Sequence, residues 1–102
     1  MCGICGLLAL DGSAVDATPL AAMSETLRHR GPDSEGSVVD GPVALAARRL
    51  SIIDLEGGDQ PIGNEDASIR VVQNGEIYNY RELRERLKAQ RYKFISESDT
   101  EV

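Results

Sequence analysis

The chain of 102 residues has no tryptophan, four other aromatic residues, a single histidine (His29) and only two cysteines. Its apolar runs, such as residues 42–47, fall far below the roughly 20 residues that cross a bilayer. The N-terminus has no basic and apolar regions typical of a secretory signal. We therefore expect a cytoplasmic protein with reduced cysteines. Basic residues are also scarce, with 11 Lys and Arg against 17 Asp and Glu. The resulting net charge of −6 argues against nucleic-acid or membrane partners.

The scarcity of cysteine and histidine also limits metal chemistry. Cys2 and Cys5 form a lone C-x-x-C motif, with no second pair to complete a four-ligand zinc site. A thioredoxin-like motif would open a helix after a strand, whereas the residues that follow this motif are typical of a strand. We predict no metal site, and keep a C-x-x-C metal or redox module as an alternative.

The order of the predicted elements favours one small α+β domain with mostly antiparallel sheet. One helix is predicted to begin with Thr18 as its N-cap and Pro19 as its first residue. A second carries Tyr80, Leu83 and Leu87 on its apolar face, with its basic residues on a solvated face. Asp40-Gly41 indicates a hairpin turn, and residues 56–68 a loop. Short apolar runs predict strands at 4–10, 38–39, 43–47, 50–55, 69–72 and 92–95.

Cys2 is the residue with the clearest chemical potential. If Met1 is removed, the Cys2 thiol and its own α-amine lie on adjacent carbons. An α-amine has a pKa of about 7.7–8.0, so it can serve as a base near neutral pH. One residue then supplies both nucleophile and base, as N-terminal threonine nucleophiles do. The alternative from position alone is a small buried thiol on a strand.

Six stretches, in order along the whole chain, resemble the class II glutamine amidotransferases, and specifically the glutamine-hydrolysing asparagine synthetases. They are Met1-Cys2-Gly3-Ile4, Arg28-His29-Arg30-Gly31-Pro32-Asp33, Arg48-Arg49-Leu50-Ser51-Ile52-Ile53-Asp54, Gln60-Pro61, Asn74-Gly75-Glu76-Ile77-Tyr78-Asn79 and Ser98-Asp99-Thr100-Glu101-Val102. The resemblance implies an enzyme in which Cys2 hydrolyses glutamine to glutamate and ammonia. In the full enzyme, a ligase of amino-acid biosynthesis, that ammonia amidates ATP-activated aspartate to asparagine.

The resemblance also implies a role for each matching residue. Asn74 and the Gly75 backbone N–H would form the oxyanion hole, although the pair alone is typical of a simple turn. Arg49 would bind the glutamine α-carboxylate, since a guanidinium matches a carboxylate bidentately. Glu76 and Asp99 would hold the α-ammonium, although most such charges are solvated. His29 lies in a block that supports the site. The remaining residues would shape the pocket, namely Leu50, Ile52 and Ile53, or support it, namely Arg30, Gly31, Pro32 and Asp33.

By this resemblance residues 1–102 are the N-terminal portion of a glutaminase domain. The implied fold is an N-terminal-nucleophile hydrolase αββα sandwich of antiparallel sheets, of which only the N-terminal part is present. We expect L-glutamine and a C-terminal synthetase domain as partners, with a homodimer as one option for the parent. No cofactor is expected in this chain, whereas ATP and Mg²⁺ belong to the synthetase domain, which is absent. The remaining alternative is a catalytically inactive glutamine-binding fragment.

Overall fold

A three-stranded antiparallel sheet forms the first half of the molecule, in a computed structural model that describes residues 2–50 and 58–102. The strands are β1 (Gly3–Leu8), β2 (Ser34–Asp40) and β3 (Val43–Arg49), in the spatial order β1-β3-β2. Helix α1 (Ala17–Thr26) connects β1 to β2 and packs on the sheet. The mixture of helices and antiparallel strands predicted from the sequence is confirmed.

The turn between β2 and β3 is the tight hairpin that the sequence predicts. Asp40 pairs with Val43, so Gly41 and Pro42 alone form the loop. Gly41 has a φ of +53°, which glycine adopts at no steric cost. Both strands extend beyond the apolar runs at 38–39 and 43–47 that indicated them, because each pairs along its whole length with its neighbour.

Small side chains let α1 approach the sheet closely. Leu20 of α1 is buried against Ala44 and Ala46 of β3. The helix begins earlier than predicted, and Thr18 as its N-cap is wrong. Asp16 caps the helix instead, because its carboxylate accepts a hydrogen bond from the Thr18 amide at 2.9 Å. Pro19 therefore lies in the first turn of the helix. Backbone N–H groups in this turn have no acceptor within the helix, so the N–H that proline lacks costs no hydrogen bond.

The second half contains a short antiparallel pair, β4 (Ile62–Gly63) and β5 (Arg70–Val71), helix α2 (Tyr80–Ala89) and a 3₁₀ turn (Asp99–Glu101). Strand β5 and α2 confirm the predictions for those segments, whereas β4 interrupts the predicted loop at 56–68. The predicted strand at 50–55 lies outside the described residues, apart from Leu50. Neither described helix is long and apolar enough to span a membrane.

The predicted strand at 92–95 is wrong, since these residues form no regular structure. Two of their backbone amides donate hydrogen bonds to carboxylates and not to a neighbouring strand. Lys93 N donates to Glu65 Oε1 at 2.6 Å, and Ile95 N donates to Glu101 Oε1 at 2.7 Å. Side-chain carboxylates therefore hold this apolar run as an irregular segment. The β-propensity of the run, a local property, does not reveal these contacts.

Candidate active site

Cys2 lies at the end of the sheet where β3 finishes. Gly3 pairs with Arg48, so continuing the antiparallel register by one residue places Cys2 opposite Arg49. The Cys2 Sγ atom is half-buried and lies 4.0 Å from the Leu50 carbonyl oxygen. The backbone of Cys2 is held from the other side, because Arg30 Nε donates to its carbonyl oxygen at 3.2 Å. The fold thus brings the predicted nucleophile, Arg49 and Leu50 together.

The Arg49 side chain is sheltered, with only 13% of its surface exposed. One of its guanidinium nitrogens, Nη1, lies 3.9 Å from Asp59 Oδ1. Gly58 packs against the guanidinium so closely that a Cβ atom there would lie 2.5 Å from Nη2. A sheltered guanidinium suits the binding of a carboxylate, and the strand register places the backbone of Arg49 opposite that of Cys2. Gly58 and Asp59 belong to no motif that the sequence indicates as part of a site.

The loop after α1 holds the two strands that carry Cys2 and Arg49. Gly31 is buried against the Arg48–Arg49 peptide, and a Cβ atom on Gly31 would overlap the Arg48 carbonyl group. Asp33 N donates to the Arg49 carbonyl oxygen at 3.0 Å. Pro32 and His29 are exposed. Arg30, Gly31 and Asp33 therefore contact the backbone of Cys2, Arg48 or Arg49, and their supporting role stays a prediction.

Arg48 forms an ion-pair cluster, made with Ser24, Glu25 and Glu35, that joins α1, β2 and β3. The Arg48 side chain is 10% exposed, and its Nη2 lies 2.7 Å from Glu25 Oε2 and 2.6 Å from Glu35 Oε2. Its Nε donates to Ser24 Oγ at 3.2 Å. Successive strand residues face opposite sides of a sheet, so this cluster fixes β3 on the side away from Arg49. No role for Arg48 was predicted from the sequence.

The second cysteine lies further along β1. Cys5 is half-buried, and its desolvation, with a smaller contribution from the Glu35 carboxylate, raises the pKa of its thiol. A raised pKa reduces the thiolate fraction, and the thiolate is the reactive form. Both cysteines are free. Within residues 2–50 and 58–102, no three His, Cys, Asp or Glu side chains are grouped so that they could hold a metal ion.

Glu76 and Asp99, the two predicted ammonium ligands, line one small cavity of about 110 Å³ in the second half of the molecule. Asp99 Oδ2 accepts a hydrogen bond from Ile77 N at 2.6 Å, which ties the 3₁₀ turn to the segment that contains Glu76. Glu97 lines the same cavity and was not identified from the sequence. Carboxylates that converge on one cavity suit a cationic ligand such as an ammonium group.

A set of amide and hydroxyl contacts, made by Gln60, Gln73 and Thr100, connects the 3₁₀ turn that contains Asp99 to the sheet. Gln60 Oε1 accepts from Gln73 N at 2.6 Å, and Thr100 Oγ1 donates to Gln73 Oε1 at 3.0 Å. On the sheet side, Gly36 of β2 leaves no room for a Cβ atom, because the Gln60 carbonyl oxygen occupies that place. Gln60 therefore contacts both the sheet, at Gly36, and the 3₁₀ turn that contains Asp99, at Thr100.

The structure brings together some of the predicted site residues and leaves others apart. Asn74 and Gly75 directly follow Gln73 and are exposed. In the described part of the chain, no hydrogen bond fixes the Asn74 side chain or joins it to Cys2. Their roles in an oxyanion hole stay a prediction. Ile52 and Ile53 lie outside the described residues.

One basic residue of α2 contradicts the prediction of a solvated face. Arg84 is 5% exposed, and its guanidinium lies 4.5 Å from the centre of the Phe94 ring. The reason is that the segment after α2 folds back across the helix and surrounds this side chain with its own carbonyl groups. Helical periodicity alone does not show where a following irregular segment will pack.

A family model described as "Glutamine amidotransferase domain" matches residues 1–102. The chain belongs to this family. It is 47% identical, over its whole length, to "Asparagine synthetase [glutamine-hydrolyzing] 1" of Bacillus subtilis (strain 168). It is 48% identical over its whole length to "Asparagine synthetase [glutamine-hydrolyzing] 1" of Arabidopsis thaliana, and 47% to the "Asparagine synthetase [glutamine-hydrolyzing]" of Asparagus officinalis. The matched region is 17% of each of these proteins.

These matches confirm the family inferred from the sequence motifs. The chain corresponds to the N-terminal region of the asparagine synthetases, which is their glutamine amidotransferase domain. It spans about a sixth of the length of the curated relatives it matches.

Proposed function

We propose that this chain supplies the glutamine-hydrolysing chemistry of an asparagine synthetase. The observation that carries the proposal is the strand register, which places Cys2, at the end of the sheet, opposite Arg49, a residue with a sheltered side chain. A thiol nucleophile and a carboxylate-binding cation at adjacent strand positions suit a substrate with a carboxylate at one end and an electrophilic carbonyl at the other.

In this mechanism Cys2 Sγ attacks the side-chain amide carbon of glutamine. The α-amine of Cys2, once Met1 is removed, takes the thiol proton and passes it to the departing nitrogen. The carbon–nitrogen bond then breaks, ammonia leaves and a thioester remains. A water molecule adds to the thioester with the same amine as base, which releases glutamate and returns the thiol.

The charged residues of the site orient the substrate in this proposal. Arg49 binds the α-carboxylate, and Glu76 and Asp99 bind the α-ammonium, so both charges of a free amino acid are neutralised. Asn74, through its side-chain amide, and Gly75, through its backbone N–H, donate to the oxyanion of the tetrahedral intermediate. Such donors typically contribute about 10²–10³ to the rate.

For the longer protein we propose an αββα sandwich of which residues 1–102 form the N-terminal portion. A C-terminal synthetase domain would bind ATP, Mg²⁺ and aspartate and use the ammonia to make asparagine. These ligands would belong to that domain, because the chemistry proposed for the present chain needs only glutamine and water. The match to the N-terminal sixth of asparagine synthetases supports this arrangement.

The test measures two activities of the complete gene product, glutamine-dependent and ammonia-dependent amide synthesis. In Cys2→Ala we expect the first to disappear and the second to persist, because Cys2 serves only to liberate ammonia. Cys5→Ala is the matched control and should keep both activities, with a packing loss of about 1 kcal/mol. Equal loss of both activities in Cys2→Ala would show a different role for Cys2. Glutamine binding without any release of ammonia by the wild type would favour a binding module.

A further inference from the structure

Arg84 is a buried cation outside the residues assigned to the reaction. It lies in the middle of α2 and is 5% exposed, whereas most residues of this short helix face solvent. Arginine is rarely buried to this extent unless several acceptors satisfy its donors. The acceptors of Arg84 are backbone carbonyl groups that lie 12 and 14 residues further along the chain.

These acceptors belong to the segment that leads into Asp99. Arg84 Nη1 donates to the Ser96 carbonyl oxygen at 2.7 Å, and Nη2 donates to the Ser98 carbonyl oxygen at 2.8 Å. The Phe94 ring covers the guanidinium at 4.5 Å. One planar group thus holds two carbonyl groups of an irregular segment in a fixed relation, as a guanidinium with its rigid set of donors can.

The path from Arg84 to Asp99 is short. The Ser98 carbonyl group belongs to the peptide that joins Ser98 to Asp99, so a shift of this carbonyl moves the Asp99 backbone directly. Asp99 is already constrained at its other end, because its Oδ2 accepts from Ile77 N at 2.6 Å. Asp99 is therefore held at two points, at its backbone through the Ser98–Asp99 peptide and at its carboxylate through the hydrogen bond from Ile77 N.

We infer that Arg84 is a positioning residue, which acts through the Ser98 carbonyl group to set Asp99 against the α-ammonium of the substrate. The inference rests on the proposed function, in which Asp99 binds that ammonium. It makes α2 part of the specificity for an α-amino acid, although no residue of α2 is assigned to contact glutamine. Loss of Arg84 should weaken the recognition of the ammonium and leave the thiol chemistry of Cys2 unaffected.

The experiment compares glutamine with 4-carbamoylbutanoate, which keeps the carboxylate and the amide but lacks the α-ammonium. Ammonia release from glutamine by the complete gene product gives kcat and KM, and inhibition of that reaction by 4-carbamoylbutanoate gives its Ki. The variants are Arg84→Met and Arg84→Lys. Lysine keeps the charge but presents a single ammonium in place of the planar set of donors. The control is Arg86→Met, an exposed residue of the same helix.

For both Arg84 variants we expect the KM for glutamine to rise about ten-fold, the effect of weakening one charge-assisted contact. The kcat should change less than about two-fold, and the Ki for 4-carbamoylbutanoate should stay at the wild-type value. Arg86→Met should match the wild type in all three. If Arg84→Met fails to fold, Arg84→Lys provides the same comparison.

Two results would overturn the inference. Equal increases in the KM for glutamine and the Ki for 4-carbamoylbutanoate would show that Arg84 only supports the structure. Unchanged values for both would show that Arg84 does not act on Asp99. If the wild type itself releases no ammonia from glutamine, the proposed function fails, and this result is distinct from a failure of Arg84 alone.

Discussion

A methyl group added at Gly31 should disturb the end of the sheet that carries Cys2 and Arg49. Gly31 is buried against the peptide between Arg48 and Arg49, and its new Cβ atom would overlap the Arg48 carbonyl group and lie 2.5 Å from the Arg49 nitrogen. These are backbone atoms of a paired strand, so they cannot rotate away as a flexible side chain would. Either β3 or the loop that carries Arg30 must therefore move.

The cost of such overpacking is typically about 1–3 kcal/mol. With a urea m-value of about 1–3 kcal/mol/M for a small protein, a loss of about 2 kcal/mol lowers the unfolding midpoint by about 1 M. Urea unfolding followed by circular dichroism measures this shift. Movement of the loop or strand also displaces the Arg30 contact to the Cys2 carbonyl group or the Arg49 guanidinium. The KM for glutamine should therefore rise in Gly31→Ala.

The matched control is Gly75→Ala, which makes the same chemical change where there is room. Among the residues that the structure describes, the nearest atom to a Cβ on Gly75 is Gln73 Nε2 at 3.5 Å, the end of a flexible side chain. Its stability should stay within about 0.5 kcal/mol of the wild type. If Gly31→Ala is as stable as Gly75→Ala and binds glutamine as well as the wild type, the close packing assigned to Gly31 is wrong.

Two further predictions concern the substrate-binding residues and the response to acid. Asn74→Ala should lower mainly kcat, because it removes a donor to the transition state, whereas Arg49→Ala should mainly raise the KM for glutamine. Steady-state kinetics measures both constants, and equal changes of both constants in both variants would contradict these roles. The hydrogen bond from the Thr18 backbone amide, with a smaller side-chain contribution from Thr18, lowers the pKa of the Asp16 carboxyl. Its contribution to stability is therefore complete above the unfolded pKa of about 3.9 and is lost as the pH falls through the lower folded value. Asp16→Asn keeps a capping side chain that does not titrate, so urea unfolding at decreasing pH should show a smaller loss in this variant, and an equal loss would contradict the assignment.

The sequence predicted those parts of the fold that depend on neighbouring residues. The 3.6-residue periodicity of Tyr80, Leu83 and Leu87 gave α2, and Asp40-Gly41 gave the hairpin. The prediction of a strand at 92–95 was wrong because two backbone amides of this segment donate to the side chains of Glu65 and Glu101. Contacts of this kind join residues up to 28 positions apart, and no local pattern encodes them.

The candidate site likewise contains residues that local motifs identify and residues that only tertiary packing reveals. Motifs identified Cys2 and Arg49, and the strand register then brought them together. Some buried charged residues that join the elements around the site were missed, among them Arg84 and the Arg48 cluster. Their charges looked like ordinary solvated charges, because burial of an arginine is decided by tertiary packing and not by its neighbours in sequence. Sequence motifs therefore identify candidate reactive groups more readily than the buried charged side chains around them.

The most direct test of the central claim is the identity of the residue that reacts with an electrophilic glutamine analogue, such as a diazoketone with the glutamine backbone. The protein is first sequenced from its N-terminus to establish that Met1 is removed, then exposed to the reagent, digested and analysed by mass spectrometry. The account predicts one adduct, on Cys2, that excess glutamine prevents and that Arg49→Ala slows. Modification of Cys5 at an equal rate, or labelling of Cys2 that glutamine does not prevent, would contradict the claim that Cys2 is the nucleophile of a glutamine site.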